Sequence, residues 1–406
     1  DVALEIIFPF VKENFNKSDL QKILNESYAN FRHEKKAPIK ELQTNKYILE
    51  LIYGPTFAFK DYALQFLGSL FSYALPKASK KLTVLGATSG DTGSAAIHAF
   101  RGKKDINVFI LHPHNRVSEV QRRQMTTVLD ENIFNIAVEG TFDDCQKIVK
   151  ELFVDEELQQ HTSLTAINSI NWARLIAQVV YYFWSYLQIN DEEINFIVPS
   201  GNFGNVFSAN VAKKMGLPIQ KLHITTNQND ILHTSIHNGL MNKNLVTQTY
   251  SPSMDIQISS NFERQLFESA KRNSEKIKDM FQEFSDNGSY TIEKDILDDL
   301  QSIYSTTAVN DEKTLSTIKL INDKFDYMAD PHTATGLSVL LNNDKNETWV
   351  SLACAHPAKF GNAIEKAIGK PAVFPKELSK LFDKEEKMTI LNNNKKNLKS
   401  LILSTL

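Results

Sequence analysis

The chain has 406 residues, of which 42% are apolar and 23% charged, with a formal net charge of −3. That length holds two domains, or one large domain with an insertion, and the apolar share is ample for a core. The near-neutral balance leaves no electrostatic footprint for nucleic acid or an anionic bilayer, and no apolar run is long enough to span a membrane. The two cysteines, Cys145 and Cys354, cannot build a disulfide framework and fit a reducing, cytoplasmic compartment. Residues 1–10 have no basic n-region, so no signal peptide is expected; the absence of an initiator Met leaves room for residues ahead of them.

Residues 1–35 show two short helical patterns, the second capped at Ser18-Asp19 ahead of Leu20, Ile23, Leu24 and Tyr28. Residues 37–42 read as a connector and 47–51 as a strand. Gly54-Pro55-Thr56 is turn chemistry, after which Tyr62, Ala63, Phe66, Leu67, Leu70, Phe71 and Ala74 fall at helical spacing until Pro76. Lys60 therefore stands where a turn becomes a helix, flanked by Phe59 and Tyr62. A helix N-terminus and burial both disfavour an ammonium group, so both lower the pKa of the amine and suit it to Schiff-base chemistry. A first-turn lysine that snorkels to water fits the same residues, and this stretch alone leaves both readings open.

Residues 82–87, 106–111 and 133–138 read as strands, alternating with helices over 95–100, 118–129 and 142–153. The second of these helices opens on a capping box, Ser118-Glu119-Val120-Gln121. A long helix follows over 172–187, then strands at 194–198 and 222–226. Residues 270–325 are charged, amphipathic and mostly helical; 347–354 is a late strand, and 392–396 a solvated turn before a last short helix. The alternation predicts an α/β protein with parallel-rich sheets flanked by helices. There is no internal repeat.

The junctions at 86–94 and 199–205 are rich in glycine and small hydroxyls. Backbone N–H groups at such strand–loop–helix junctions bind anions. Neither junction fits G-x-x-x-x-G-K-S/T or G-x-G-x-x-G, which excludes nucleotide readings, although a pair of tight turns serving only topology remains open. His112-Pro113-His114-Asn115 reads as a surface turn, and no metal site is expected.

Gly54-Pro55-Thr56-Phe57-Ala58-Phe59-Lys60-Asp61 resembles the cofactor-lysine segment of threonine synthases, which use pyridoxal phosphate (PLP). The segments at 86–94, 116–127, 169–174, 199–205, 259–264, 330–334 and 355–360 resemble that family's motifs in the same order, over nearly the whole length. The resemblance implies a fold type II, tryptophan-synthase-β-like enzyme with a small domain inserted in a large one. The expected units are an N-terminal helical segment (1–45), a large PLP-binding domain (46–81 and 161–406) and a small α/β domain (82–160). It also implies conversion of O-phospho-L-homoserine and water to L-threonine and phosphate, the last step of threonine biosynthesis, by a monomer or homodimer.

By the same resemblance Lys60 carries PLP, and Gly201, Asn202, Phe203, Gly204 and Asn205 cradle its phosphate. Asp91 sits beside the ring O3′, and Cys354 occupies the place of a threonine that meets the ring nitrogen. Thr88, Ser89 and Thr92 contact substrate, joined by Arg116, Asn171, Asn261 and Arg264. Three features depart from the family pattern: Ile52-Tyr53 before the turn, the 112–115 stretch, and Cys354, whose thiol is a weaker hydrogen-bonding group than a hydroxyl. Family members usually have a further N-terminal segment ahead of the point that residue 1 occupies. Serine or threonine dehydration on the same fold is an alternative that the 259–264 and 330–334 segments oppose. A non-catalytic relative is a second, opposed by the presence of Lys60.

Overall fold

The computed structural model describes residues 1–75, 81–344 and 346–406. Two parallel-rich sheets organise them. The larger has six strands in the order Ile39–Gln43, Lys46–Glu50, Trp349–Ala353, Ile194–Pro199, Ile219–Thr226 and Tyr304–Ala308. Its first pair is antiparallel and the other pairs are parallel. The smaller has five parallel strands in the order Thr389–Asn392, Ile133–Glu139, Ile106–Pro113, Leu82–Ala87 and Ser163–Ala166. A two-stranded antiparallel ribbon pairs Leu240–Asn242 with Ser289–Thr291. Parallel strands are covered on both faces, so Ile106–Pro113 and Ile194–Pro199 are buried at every position and appear in sequence as mostly apolar runs.

The helix Lys60–Ala74 joins the two cores. Tyr62, Ala63 and Phe66 pack into the large-sheet core with Tyr181, Phe196 and Leu352. Leu64 and Leu67 pack into the small-sheet core with Val84, Ile97 and Ile110. Gly68 allows this helix to approach Asp91–Phe100 closely, since a Cβ there would lie 2.4 Å from the Ala99 carbonyl oxygen.

Several expectations are corrected. The second helix, Lys17–Tyr28, is capped by Asn16, which accepts from the Asp19 amide, rather than by Ser18-Asp19. The connector at 37–42 contains a strand, because residues 39–43 pair back on Lys46–Glu50 across a short turn. His112 is buried inside the strand Ile106–Pro113 and not on a surface turn. The helix after Gly54-Pro55-Thr56 runs to Ala74; Pro76, its expected end, lies outside the described residues. Residues 163–166 and 389–392, expected in the large domain, both add to edges of the small sheet. Their contributions are backbone pairings on short edge strands, with Leu398 and Ile402 of the last helix buried beneath the latter.

Candidate active site

Four strand ends of one polarity converge, as is usual for ligand sites in open α/β sheets. Lys46–Glu50 leads into the turn before Lys60, Leu82–Ala87 into the 88–90 loop and the helix start at Asp91, Ile194–Pro199 into the 200–203 loop and the helix start at Gly204, and Trp349–Ala353 into Cys354. They surround a cavity lined by Phe59, Lys60, Thr92, Ser169, Arg174, Gln178, residues 199–205, Ser253, Met254, His332 and Cys354.

The turn that presents Lys60 is held from several sides. Arg32 donates to the carbonyls of Tyr53, Gly54 and Pro55 and stacks on the Phe57 ring. Asp61 accepts from the Thr56 amide at 2.8 Å and the Thr56 hydroxyl at 2.7 Å. The Phe59 amide donates to the Cys354 carbonyl and the His356 amide to the Phe57 carbonyl, which joins the turn to the end of the late strand. Phe57 has a left-handed φ of 60° and Phe203 one of 62°. Such a conformation costs a bulky residue about 1–3 kcal/mol and collects at functional sites.

Lys60 is half-buried and its amine opens to the cavity. Burial, reinforced by Arg174 and Lys359 and opposed by Asp91, brings the amine down to about 8. Across the cavity, the helix Gly204–Lys214 begins without a side-chain cap. Among the described residues the backbone amides of 201–206 donate to no protein acceptor. Asn205 adds a donor: Tyr181 and Tyr182 donate to its Oδ1, leaving its buried Nδ2 without a partner. Uncapped amides at a helix start and a free side-chain N–H form an anion site.

Arg174 is a second anion-binding element. Its Nη1 donates to the Ile167 carbonyl at 2.6 Å, its Nε has no partner, and no carboxylate pairs with it among the described residues. Burial brings its guanidinium down to about 10. A buried, unpaired cation on a cavity wall calls for an anionic ligand.

Cys354 is buried at the cavity floor, and burial raises its thiol well above the usual range. The amide of Cys354 donates to the Thr333 hydroxyl, which in turn donates to Asp330. Asp330 also accepts from the Ala355 amide and pairs with His332 Nδ1 at 2.8 Å. His332 Nε2 accepts from the Ser253 amide, which fixes the proton on Nδ1 and the Ser253–Met254 wall against the Gly201 loop.

The other residues singled out from sequence have different surroundings. Thr88 is buried and accepts from the Gly90 and Gly93 amides at 3.0 and 2.9 Å, so it shapes the loop and does not line the cavity. Ser89 is half-buried on that loop, and only Thr92 of the three reaches the cavity wall. Asp91 points to Lys359, 2.6 Å away, and accepts from Gln121 Nε2 at 2.8 Å. Burial tends to raise its carboxyl, but Lys359, Lys60 and Gln121 hold it well below the usual range. Asn171 caps the helix Trp172–Ile189 through the Ala173 amide. Asn261 donates to the Ser169 and Asn202 carbonyls, and Arg264 to the Ile170 carbonyl. Those three brace the cavity wall at Ser169 from behind, whereas Arg116 is exposed and apart from it. Sequence reasoning did not single out Arg174, Lys359, Gln121 and His332 as site residues, although all four lie inside motifs quoted for the resemblance.

These residues fit PLP. An amine of low basicity faces the cavity, and a ring of unsatisfied N–H donors waits for a phosphate. The thiol of Cys354, on the cavity wall, would be a weaker partner for a ring nitrogen than a hydroxyl. A wider open groove, lined in part by Gln228, Asp230, Asn310 and Lys313, contains no buried lysine or cysteine.

A family model described as pyridoxal-phosphate dependent enzyme matches residues 33–354, and one described as threonine synthase, C-terminal, matches 333–402. A threonine synthase of Pseudomonas aeruginosa is 44% identical over 398 residues, spanning 97% of this chain and 85% of that relative. The crystal structure of a PLP-bound threonine synthase from Brucella melitensis has a TM-score of 0.96 at 41% identity, covering 100% of this chain and 88% of that one. A yeast threonine synthase structure has a TM-score of 0.93, also at 41% identity, with the same coverage of 100% and 88%.

Proposed function

The chain belongs to the threonine synthase family of PLP-dependent, fold type II enzymes, and we propose that its cleft converts O-phospho-L-homoserine and water to L-threonine and phosphate. It is a lyase with PLP as cofactor, acting in threonine biosynthesis. The observation that carries the substrate assignment is the juxtaposition of two anion sites around one amine. The 201–206 amides lie across the cavity from Lys60, and the unpaired Arg174 stands on the same wall set. One suits the cofactor's phosphate and the other the phosphate of a substrate.

When bound, PLP supplies an electron sink that stabilises negative charge at the substrate carbon beside the amine. Lys60 Nζ would hold the cofactor, and Gly201, Asn202, Phe203, Gly204 and Asn205 would bind its phosphate. Asp91 and Cys354 are the residues that would serve the ring O3′ and the ring nitrogen. Once released, Lys60 Nζ takes and returns protons at substrate Cα and Cβ; an amine near 8 does both close to neutral pH. Arg174, Ser169 and Thr92 bind the phosphate that leaves Cγ, with Ser89 at the rim, before water adds at Cβ. Thr88, Asn171, Asn261 and Arg264 hold these groups in place.

The small sheet and its helices form one unit and the large sheet another, closing on the cleft and excluding water. Among the described residues no helix is long and apolar enough to cross a membrane. Cytoplasmic residence, as monomer or homodimer, completes the proposal, in keeping with two free thiols. The test is product analysis with O-phosphohomoserine and PLP. Equal amounts of phosphate and threonine support it; a 2-oxo acid formed from serine or threonine, with no turnover of the phosphoester, contradicts it.

A further inference from the structure

We infer that Lys359 is a positioning residue for the reaction, its ammonium clamping the Asp91 carboxylate beside Lys60 and tying the small-sheet helix Asp91–Phe100 to the turn that carries the cofactor lysine. The inference rests on the reading of Lys60 as that lysine.

Lys359 lies in the short 3₁₀ segment Pro357–Phe360, shaped by Pro357 and capped by His356, and its residue is 1% exposed. Its Nζ reaches Asp91 Oδ1 at 2.6 Å and the Thr56 carbonyl at 2.9 Å. Both acceptors are shared with the helix Glu119–Thr126: Gln121 Nε2 donates to Asp91 at 2.8 Å and Gln124 Nε2 to the Thr56 carbonyl at 3.0 Å. The Ser118 hydroxyl donates to the Lys359 carbonyl at 3.3 Å. Thr56 is in turn bonded twice to Asp61, the neighbour of Lys60. One buried ammonium thus sits between the helix start that bears Asp91 and the turn that aims Lys60.

A buried ion pair is poor value for stability alone, because well-packed apolar side chains of similar volume do as well or better. What the pair does provide is charge at a fixed place. Lys60 experiences Asp91, Arg174, Lys359 and Cys354 from four different elements. Asp91 uncompensated holds a proton on Lys60, and Lys359 offsets it. Asp61, His356 and His98 also feel the Lys359 charge.

The test is a pH titration of visible absorbance in the PLP-loaded protein, made without substrate. Lys359→Met removes a cation and leaves Asp91 uncompensated, so the midpoint of the spectral change moves up by about one pH unit. Asp91→Asn moves it down, and Lys359→Arg, which keeps the charge, stays nearer the unsubstituted value than Lys359→Met does. A Lys359→Met protein that keeps its band and titrates like the unsubstituted one overturns the inference. If Lys359→Met fails to fold, the other two variants decide: no downward shift in Asp91→Asn, or an upward one in Lys359→Arg, overturns it. Absence of a band in the unsubstituted protein instead overturns the cofactor reading itself, and this inference with it.

Discussion

At Lys60 the amine is set by burial first and by neighbouring charges second. Only the neutral amine attacks an aldehyde, so PLP uptake by the apoprotein is expected to quicken with pH through about 8 and then level. Stopped-flow absorbance measures this; a rise that comes only near the ordinary lysine value of about 10.4 contradicts it. Cys354 makes only a long contact from its sulfur, 3.8 Å to the Leu352 carbonyl, and its backbone is held by Thr333 and by the Phe59 amide. Cys354→Thr, which restores a hydroxyl without disturbing those bonds, is expected to leave turnover equal or higher. A large loss in a steady-state assay means that the thiol has a role of its own. Lys60, the 201–205 loop and Cys354 were legible in the sequence because each lies in a contiguous motif with local chemistry. Arg174 and Lys359 were not. Their importance comes from what they do or do not pair with, and Lys359 meets Thr56 across 303 positions of chain.

Among elements, the helix Lys60–Ala74 is the one on which the cleft depends, since it carries the lysine and packs into both cores. Its contact with Asp91–Phe100 is made at Gly68, against the Ala99 carbonyl. Gly68→Ala must push the two helices apart and is expected to cost about 1–3 kcal/mol, read as a lower urea midpoint. An unchanged midpoint shows that the approach is not as tight as described. Long elements such as Trp172–Ile189 and Phe142–Phe153 followed from apolar spacing and the alternation of strand and helix. The strands Ile39–Gln43, Ser163–Ala166 and Thr389–Asn392 did not. They are short edge strands with no fully buried position, Ile39–Gln43 folding back on the next strand and the other two pairing with strands far away in sequence, and such backbone pairing leaves little period in the side chains.

In the whole molecule, two parallel-rich sheets bring strand ends to one cleft, and chain segments cross between them. The last strand and helix return to the small sheet, and Glu386 bonds Arg122 at 2.9 Å and the Thr126 hydroxyl at 2.6 Å on the way. The division into units was therefore less legible than the fold class: alternation of strand and helix reveals parallel sheets, but not which sheet a terminal strand joins. The central claim is that this cleft holds PLP on one lysine. Its most direct test is borohydride reduction of the PLP-loaded protein, followed by proteolysis and mass spectrometry of the peptides. The account predicts one pyridoxyl-modified peptide, with the modification on Lys60 and none in Lys60→Ala. Modification of another lysine, Lys359 included, or of none, would contradict it.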